Sequence, residues 1–195
     1  SIAHRILKSQ DTTQKSGQYV RYISPIAGYS VTYPANREIE ENDDGSLSIA
    51  TSYTKKGEEI AVVYIVGLIP ISACEECAAQ WFYPVIKEKL LWDNQQISIQ
   101  KESNQKIDGI MANMIEYTQT DAETGERAQA YLGVLVSGGT GYLIGWFTDA
   151  NTYSLVKKDI EDFILSTQFD VAPSTNTDAE TTLNAADEFD EYEWY

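Results

Sequence analysis

Apolar and polar positions alternate with a period of two over much of the chain, and this alternation predicts strands. In "YSVTYP" the residues Tyr29, Val31 and Tyr33 share one face against Ser30 and Thr32, and Pro34 stops the ladder. "SLSIATSY" repeats the pattern with Leu47, Ile49, Thr51 and Tyr53 on one face, between the turn-rich pieces "NDDGS" and "KKGEE". Residues 60 to 68, "IAVVYIVGL", are apolar on both faces, as a central strand covered on both sides must be. Further on, "QISIQKE", "GIMANMIEYTQT", "RAQAYLGVLVS" and "GYLIGWFTD" read as four more strands. Their short connections, "NQKIDG", "DAETGE" and "GGT", are the grammar of antiparallel hairpins. Leu132, Val134 and Val136 share one face, and so do Tyr142, Ile144 and Trp146.

Two stretches have a helical period instead. Ser72 and Glu75 have the spacing of a capping box. From there Cys74, Cys77, Ala78, Trp81, Phe82 and Val85 form an apolar stripe, with Glu75, Glu76 and Gln80 facing away. Pro84 predicts a kink or a break, with helix continuing to about Trp92. A closing helix is expected from about Asn151 to Ser166, with Tyr153, Val156, Ile160, Phe163 and Ile164 inside and Lys157, Lys158 and Glu161 outside, and "STQFD" follows it. The expected order is β-β-β-α-β-β-β-β-α, an α+β fold with an antiparallel sheet and helices packed on both faces, an α/β/α sandwich.

The pattern stops at both ends. Residues 1 to 27 form a polar leader with a short ordered piece at "YVRYI", residues 28 to 170 carry the domain, and residues 171 to 195 form a tail. Within 195 residues, an apolar content of 43% is enough to build a real core. The net charge of -16 repels phosphate backbones and anionic membrane surfaces, so nucleic acid is excluded as a partner class. The tail holds seven acids (Asp178, Glu180, Asp187, Glu188, Asp190, Glu191 and Glu193) and no Lys or Arg. It interleaves them with Phe189, Tyr192, Trp194 and Tyr195, so its aromatics suit docking on a protein partner while its acids steer toward basic surface. A free, solvated acidic end is the other reading of the same residues. The opening residues lack the basic-then-apolar order of a secretory signal, although Ser1 is compatible with a processed end. No apolar run approaches the roughly 18 residues of a membrane span, so contact with a membrane is expected only through a lost lipid anchor.

The candidate chemistry centres on Cys74 and Cys77, the only cysteines, in a CxxC after a strand. Free amides at a helix start favour a thiolate, which suits a dithiol with Cys74 attacking and Cys77 resolving. Glu75 and Glu76 between the thiols act the other way, and nothing downstream resembles the cis-proline segment of thioredoxins. A structural disulfide and a pair of reduced core thiols on the Trp81 stripe are the alternatives, and residues three apart on a helix reach one another only in a loosely wound first turn. Zinc needs four ligands, whereas the chain offers two cysteines and the distant His4. "VSGGTGY" lacks the lysine of a phosphate loop, and "ENDDGS" lacks the acid spacing of a calcium loop. A Ser/His/Asp set would have to recruit His4, and no GxSxG turn is present.

The "GYSVTYPA" opening, the both-faces-apolar strand before a helix, the "GYLIGWF" run and the closing "ILSTQF" together resemble the PsbP-like superfamily over roughly residues 28 to 169. That group comprises the extrinsic P protein of photosystem II, Ran-binding Mog proteins and exported DcrB-like lipoproteins. The resemblance implies an α/β/α sandwich acting as a binding or assembly factor, not an enzyme, and an extracytoplasmic setting. Metal sites in its photosynthetic branch depend on His and acidic positions, and His4 lies outside the matched region, so no site residue is carried over. The expectation is a non-enzymatic binding or assembly factor of an exported protein complex, with no cofactor and with the tail as partner contact. A thiol-disulfide oxidoreductase is one alternative. A small-ligand carrier is another, and it requires a closed pocket beside Trp81 and Trp146.

Overall fold

The computed structural model describes residues 19–34, 38–71, 75–93 and 96–169. The first five described elements are strands: β1 (Tyr19–Ile23), β2 (Tyr29–Pro34), β3 (Glu38–Glu41), β4 (Leu47–Lys55) and β5 (Glu58–Pro70). Helix α1 (Glu75–Asp93) leads to β6 (Ile97–Ile107), β7 (Ile110–Thr120), β8 (Arg127–Ser137) and β9 (Thr140–Asp149). Helix α2 (Tyr153–Leu165) and the two-residue β10 (Gln168–Phe169) are the last described elements. The described residues are mostly antiparallel sheet with two helices, an α+β fold. Seven strands form one sheet in the order β3-β4-β5-β9-β8-β7-β6, and β1-β2-β10 form a second.

Strand β5 sits inside the large sheet between β4 and β9, which explains its two apolar faces: every residue from Ile60 to Tyr64 is buried. On β8 the alternation divides the core. Leu132, Val134 and Val136 pack with Ala78 and Phe82 of α1, whereas Leu135 and Tyr131 join the larger cluster that holds Val156, Ile160, Phe163 and Ile164 of α2. Tyr29 and Val31 of β2, together with Phe169, lie in that same larger cluster, so the small sheet and α2 bury apolar surface together. Polar tethers fix the arrangement. Ser166 Oγ accepts the Thr32 backbone N–H at 2.9 Å, and Asp108 Oδ2 accepts that of Phe169 at 2.9 Å.

The hairpins are tight. β6 and β7 are joined by Asp108 and Gly109 alone, both at positive φ (50° and 81°), as a two-residue turn matched to strand twist requires. The stretch "NQKIDG" is therefore not a six-residue connection. Strand β6 runs through it to Ile107, with a register shift between Ile99 and Lys101.

The expected element order omitted three short strands. β1 lies at "YVRYI", inside the stretch read as the leader, and pairs with β2 along its whole length. β3, "EIEE", holds a single apolar residue, Ile39, and β10 has two residues, so neither carries a periodic signal. Both are strands because a neighbour's backbone accepts them, β4 for β3 and β2 for β10.

The stripe on α1 also differs from expectation. Its buried residues are Ala78 and Phe82, with Tyr83 and Ile86 half-buried, whereas Trp81 and Val85 are 42% and 47% exposed. One face of β8 receives the helix, and the ridge Ala78-Phe82-Ile86 is enough to cover it. Gly141 on neighbouring β9 leaves room for the ring: a Cβ there would lie 2.7 and 2.8 Å from Cε1 and Cε2 of Phe82, and nearer still to Cζ. Pro84 leaves the helix continuous. It deprives the Gln80 carbonyl of its partner, and both residues are exposed, so water can take that bond.

Candidate functional site

The residues expected to carry function fall largely outside this frame. Cys74, His4, Phe189, Tyr192, Trp194 and Tyr195 lie outside the described residues, as does Ser72 of the expected capping box. Cys77 belongs to the first turn of α1, and its side chain lies outside the description as well. Among the described residues no three His, Cys, Asp or Glu side chains converge as a metal site, and no helix is long and apolar enough to cross a membrane.

Strand pairing assembles a different constellation. Lys101 of β6 is opposite Glu116 of β7, Glu116 is opposite Tyr131 of β8, Tyr131 is opposite Trp146 of β9, and Trp146 is opposite Tyr64 of β5. One cross-strand row thus passes from charge at the sheet edge, through aromatic rings, into the apolar core. Helix α2 crosses the row. Over its core end Phe163 packs on Tyr64 with ring centroids 4.3 Å apart. Over its edge end the helix presents Tyr153, Lys157 and Glu161, one turn apart from one another.

Over the edge end lies a hollow of about 70 Å³, lined by Lys101, Glu116, Tyr131 and Trp146 of the row, by Ser103 of β6 and by Tyr153, Lys157, Ile160 and Glu161 of α2. Three rings form its aromatic part. Trp146 and Tyr153 stack with centroids 5.2 Å apart and planes 23° apart, and Tyr131 lies 6.1 Å from Trp146 with planes 31° apart. Lys157 Nζ stands 6.0 Å above the Tyr153 ring. The buried Gln129 donates through Nε2 to Glu116 Oε1 at 3.2 Å. Burial, reinforced by Glu116 and Glu161, holds the Tyr153 and Tyr131 hydroxyls above the usual phenol range. Both are therefore neutral donors at physiological pH.

Of the four buried side-chain polar atoms without a partner among the described residues, one belongs to the lining of this hollow. Trp146 is 2% exposed, and its indole N–H has no hydrogen-bond partner among the described residues. A buried donor left unmade costs about 1–3 kcal/mol. The hollow beside it is well below the roughly 300–1,000 Å³ of sites that enclose a drug-sized ligand. It has the size of a single side chain or a few waters. Trp81 has no part in it, because α1 packs on the opposite face of β8. A signal for the site was present in the strand alternation. Glu116 has the same parity as Ala112 and Met114, which places a carboxylate on a core-facing position of "GIMANMIEYTQT".

No family model and no curated protein matches the sequence. Solved structures do. The Ran-binding protein Mog1p of Saccharomyces cerevisiae superposes with a TM-score of 0.52 at 8% identity, over 80% of this chain and 97% of that one. Cyanobacterial PsbP (CyanoP) of Synechocystis superposes with a TM-score of 0.51 at 16% identity, over 82% and 98%. The chain has the PsbP-like fold. LpqN of Mycobacterium tuberculosis, involved in cell envelope biogenesis, shares this fold with a TM-score of 0.50 at 14% identity, over 78% of this chain and 91% of that one. A longer structure from Bacteroides thetaiotaomicron contains it too: the chain spans 47% of that protein, with 76% of its own length matched, at 16% identity and a TM-score of 0.51. At these identities the likeness is one of fold, and the aromatic hollow is described from this chain's own residues.

Proposed function

We propose that this protein is a non-enzymatic binding or assembly factor of an exported protein complex, and that residues 171 to 195 are its contact with a protein partner. The observation that carries the reading is the tail's composition, seven acids interleaved near its end with Phe189, Tyr192, Trp194 and Tyr195, attached to a PsbP-like fold. Aromatic anchors supply contact area at low entropic cost, and the acids speed encounter with basic surface. The fold's neighbours support a binding role, since Mog1p is a Ran-binding protein. LpqN's part in cell envelope biogenesis supports an extracytoplasmic setting. In this reading α1 and α2 flank the large sheet as the outer layers of an α/β/α sandwich, and the domain serves as a rigid platform for the tail. Fold alone does not assign function, so the tail must be tested directly.

The test compares the full chain with a chain ending at residue 170 in capture of partners from a native extract, with a synthetic peptide of residues 171 to 195 as competitor. Loss of the captured protein on truncation, together with its displacement by the peptide, supports the reading. Unchanged capture by the truncated chain removes the tail from it.

A further inference from the structure

We propose that the outer edge of β6 pairs with the same edge of a second copy of this chain, antiparallel about a two-fold axis at Asn104, with Glu102 of each copy opposite Lys106 of the other. The inference is independent of the tail and stands whether or not the tail binds a partner. Strand β6 is the last of the large sheet, and among the described residues it pairs only with β7. Helix α1 packs on β8, two strands further in and so about 10 Å away at the usual strand spacing. It reaches β6 through the side chains of Tyr83 and Lys87, both on Glu102. Glu102, Asn104 and Lys106 are exposed along this edge. A row of N–H and C=O groups on such an edge is a template for another strand.

The turn fixes which backbone groups point outward. Asp108 and Gly109 form a two-residue turn at positive φ, which closes Ile107 and Ile110 as a hydrogen-bonded pair. Bonding alternates along the ladder from there, so Gln105, Ser103 and Lys101 also bond toward β7, whereas Lys106, Asn104 and Glu102 turn their N–H and C=O groups to the open edge. The register shift between Ile99 and Lys101 ends the regular stretch and confines pairing to residues 101 to 107. Within that stretch charge selects the register. An axis at Asn104 places Glu102 opposite Lys106 twice, and it brings all three outward residues of each copy into hydrogen-bonded pairs. An axis at Glu102 sets carboxylate against carboxylate, and one at Lys106 sets ammonium against ammonium. An axis at Ser103 or Gln105 matches no opposite charges. The other end of the sheet cannot do the same, because β3 reads "EIEE" and every two-fold pairing of it opposes acids with acids. Glu102 is also held ready. Its Oε1 accepts from Lys87 Nζ at 2.6 Å and its Oε2 accepts from the Tyr83 hydroxyl, and a carboxylate has room for a third donor.

So short a pairing buries less than a standard interface, so the dimer is weak and its mass is read against concentration. Sedimentation equilibrium of the full chain is expected to show reversible dimerisation. Asn104→Pro removes the central outward N–H and leaves the β6–β7 ladder intact, as an edge strand tolerates, and it is expected to abolish the dimer. Lys106→Glu turns both cross-copy pairs into acid against acid and is expected to weaken dimerisation at least about tenfold. Glu102→Lys turns them into base against base with the same result. Mixing these two charge variants restores opposite charges in both pairs, so each is expected to bind the other more tightly than itself. If Glu102→Lys does not fold, because Tyr83 and Lys87 lose their partner, Asn104→Pro and Lys106→Glu carry the test. A monomer at every concentration, dimerisation unchanged in Asn104→Pro or in Lys106→Glu, or a mixture of the charge variants no tighter than either alone overturns the proposal.

Discussion

Gly141→Ala is the sharpest test of how α1 is docked. The glycine's backbone is in a conformation open to any L residue, so in isolation an alanine would stabilise the strand by about 0.4–1 kcal/mol through the unfolded chain. Its Cβ, however, meets the Phe82 ring at 2.7 Å from Cε1 and 2.8 Å from Cε2, roughly 1 Å inside ordinary contact. Phe82 is 2% exposed and held by Leu132, Val134 and Val136, so the ring cannot swing into solvent without abandoning its burial. The methyl therefore displaces α1, at an overpacking cost of about 1–3 kcal/mol that outweighs the entropic gain. In a Phe82→Leu background the ring carbons that meet the methyl are absent, and the same Gly141→Ala change becomes neutral or slightly stabilising. The assay is urea unfolding of the four proteins of this double-mutant cycle, with equal m values as the check on two-state behaviour. Equal costs for Gly141→Ala in both backgrounds would refute the packing account, as would a wild-type-like Gly141→Ala protein with Phe82 intact.

Three further outcomes are expected. Asp108→Ala removes both the acceptor for the Phe169 N–H and a residue suited to φ 50°, at a cost of about 1–2 kcal/mol, while Asp108→Asn costs less; hydrogen exchange at Phe169 reports the difference, and an unchanged rate counts against the tether. Burial pushes Tyr117 up to about 12 and also raises Tyr29 and Tyr153. A folded-state pKa above the unfolded value of about 10 contributes stability that is complete below that value and lost as pH rises through the folded one, so urea midpoints fall between about pH 10 and 12, less steeply in Tyr117→Phe; a flat profile there contradicts the assignment. Alkylation of Cys74 and Cys77 against pH is expected to show no midpoint below the free-thiol value of about 8.5, because Glu75 and Glu76 oppose a thiolate, and a markedly lower midpoint revives the redox reading.

Local pattern made the long elements legible. The alternation in β4, β8 and β9 names the residues that are buried, and the both-faces-apolar run of β5 announces its position between two neighbours. Helix α2 follows its periodicity closely, with Val156, Ile160, Phe163 and Ile164 inside. Legibility failed where an element depends on a partner for its existence, as in β3 and β10, and where one helix offered more apolar surface than its neighbour could cover. On α1 the sequence presents Ala78, Trp81, Phe82 and Val85 as equals. The sheet takes Ala78 and Phe82 and leaves Trp81 and Val85 in water.

By itself, then, the sequence determined which face of each long strand is apolar, roughly where the turns fall, and that residues 171 to 195 are rich in acids and aromatics. These follow from backbone periodicity and composition, which are local properties. Only the tertiary structure decided that Lys101, Glu116, Tyr131 and Trp146 form one row under Tyr153 and Lys157. Register couples residues far apart in the chain through hydrogen-bonded ladders. A Trp on a core-facing position reads as packing until its neighbours across the sheet show that none of the described residues bonds its N–H.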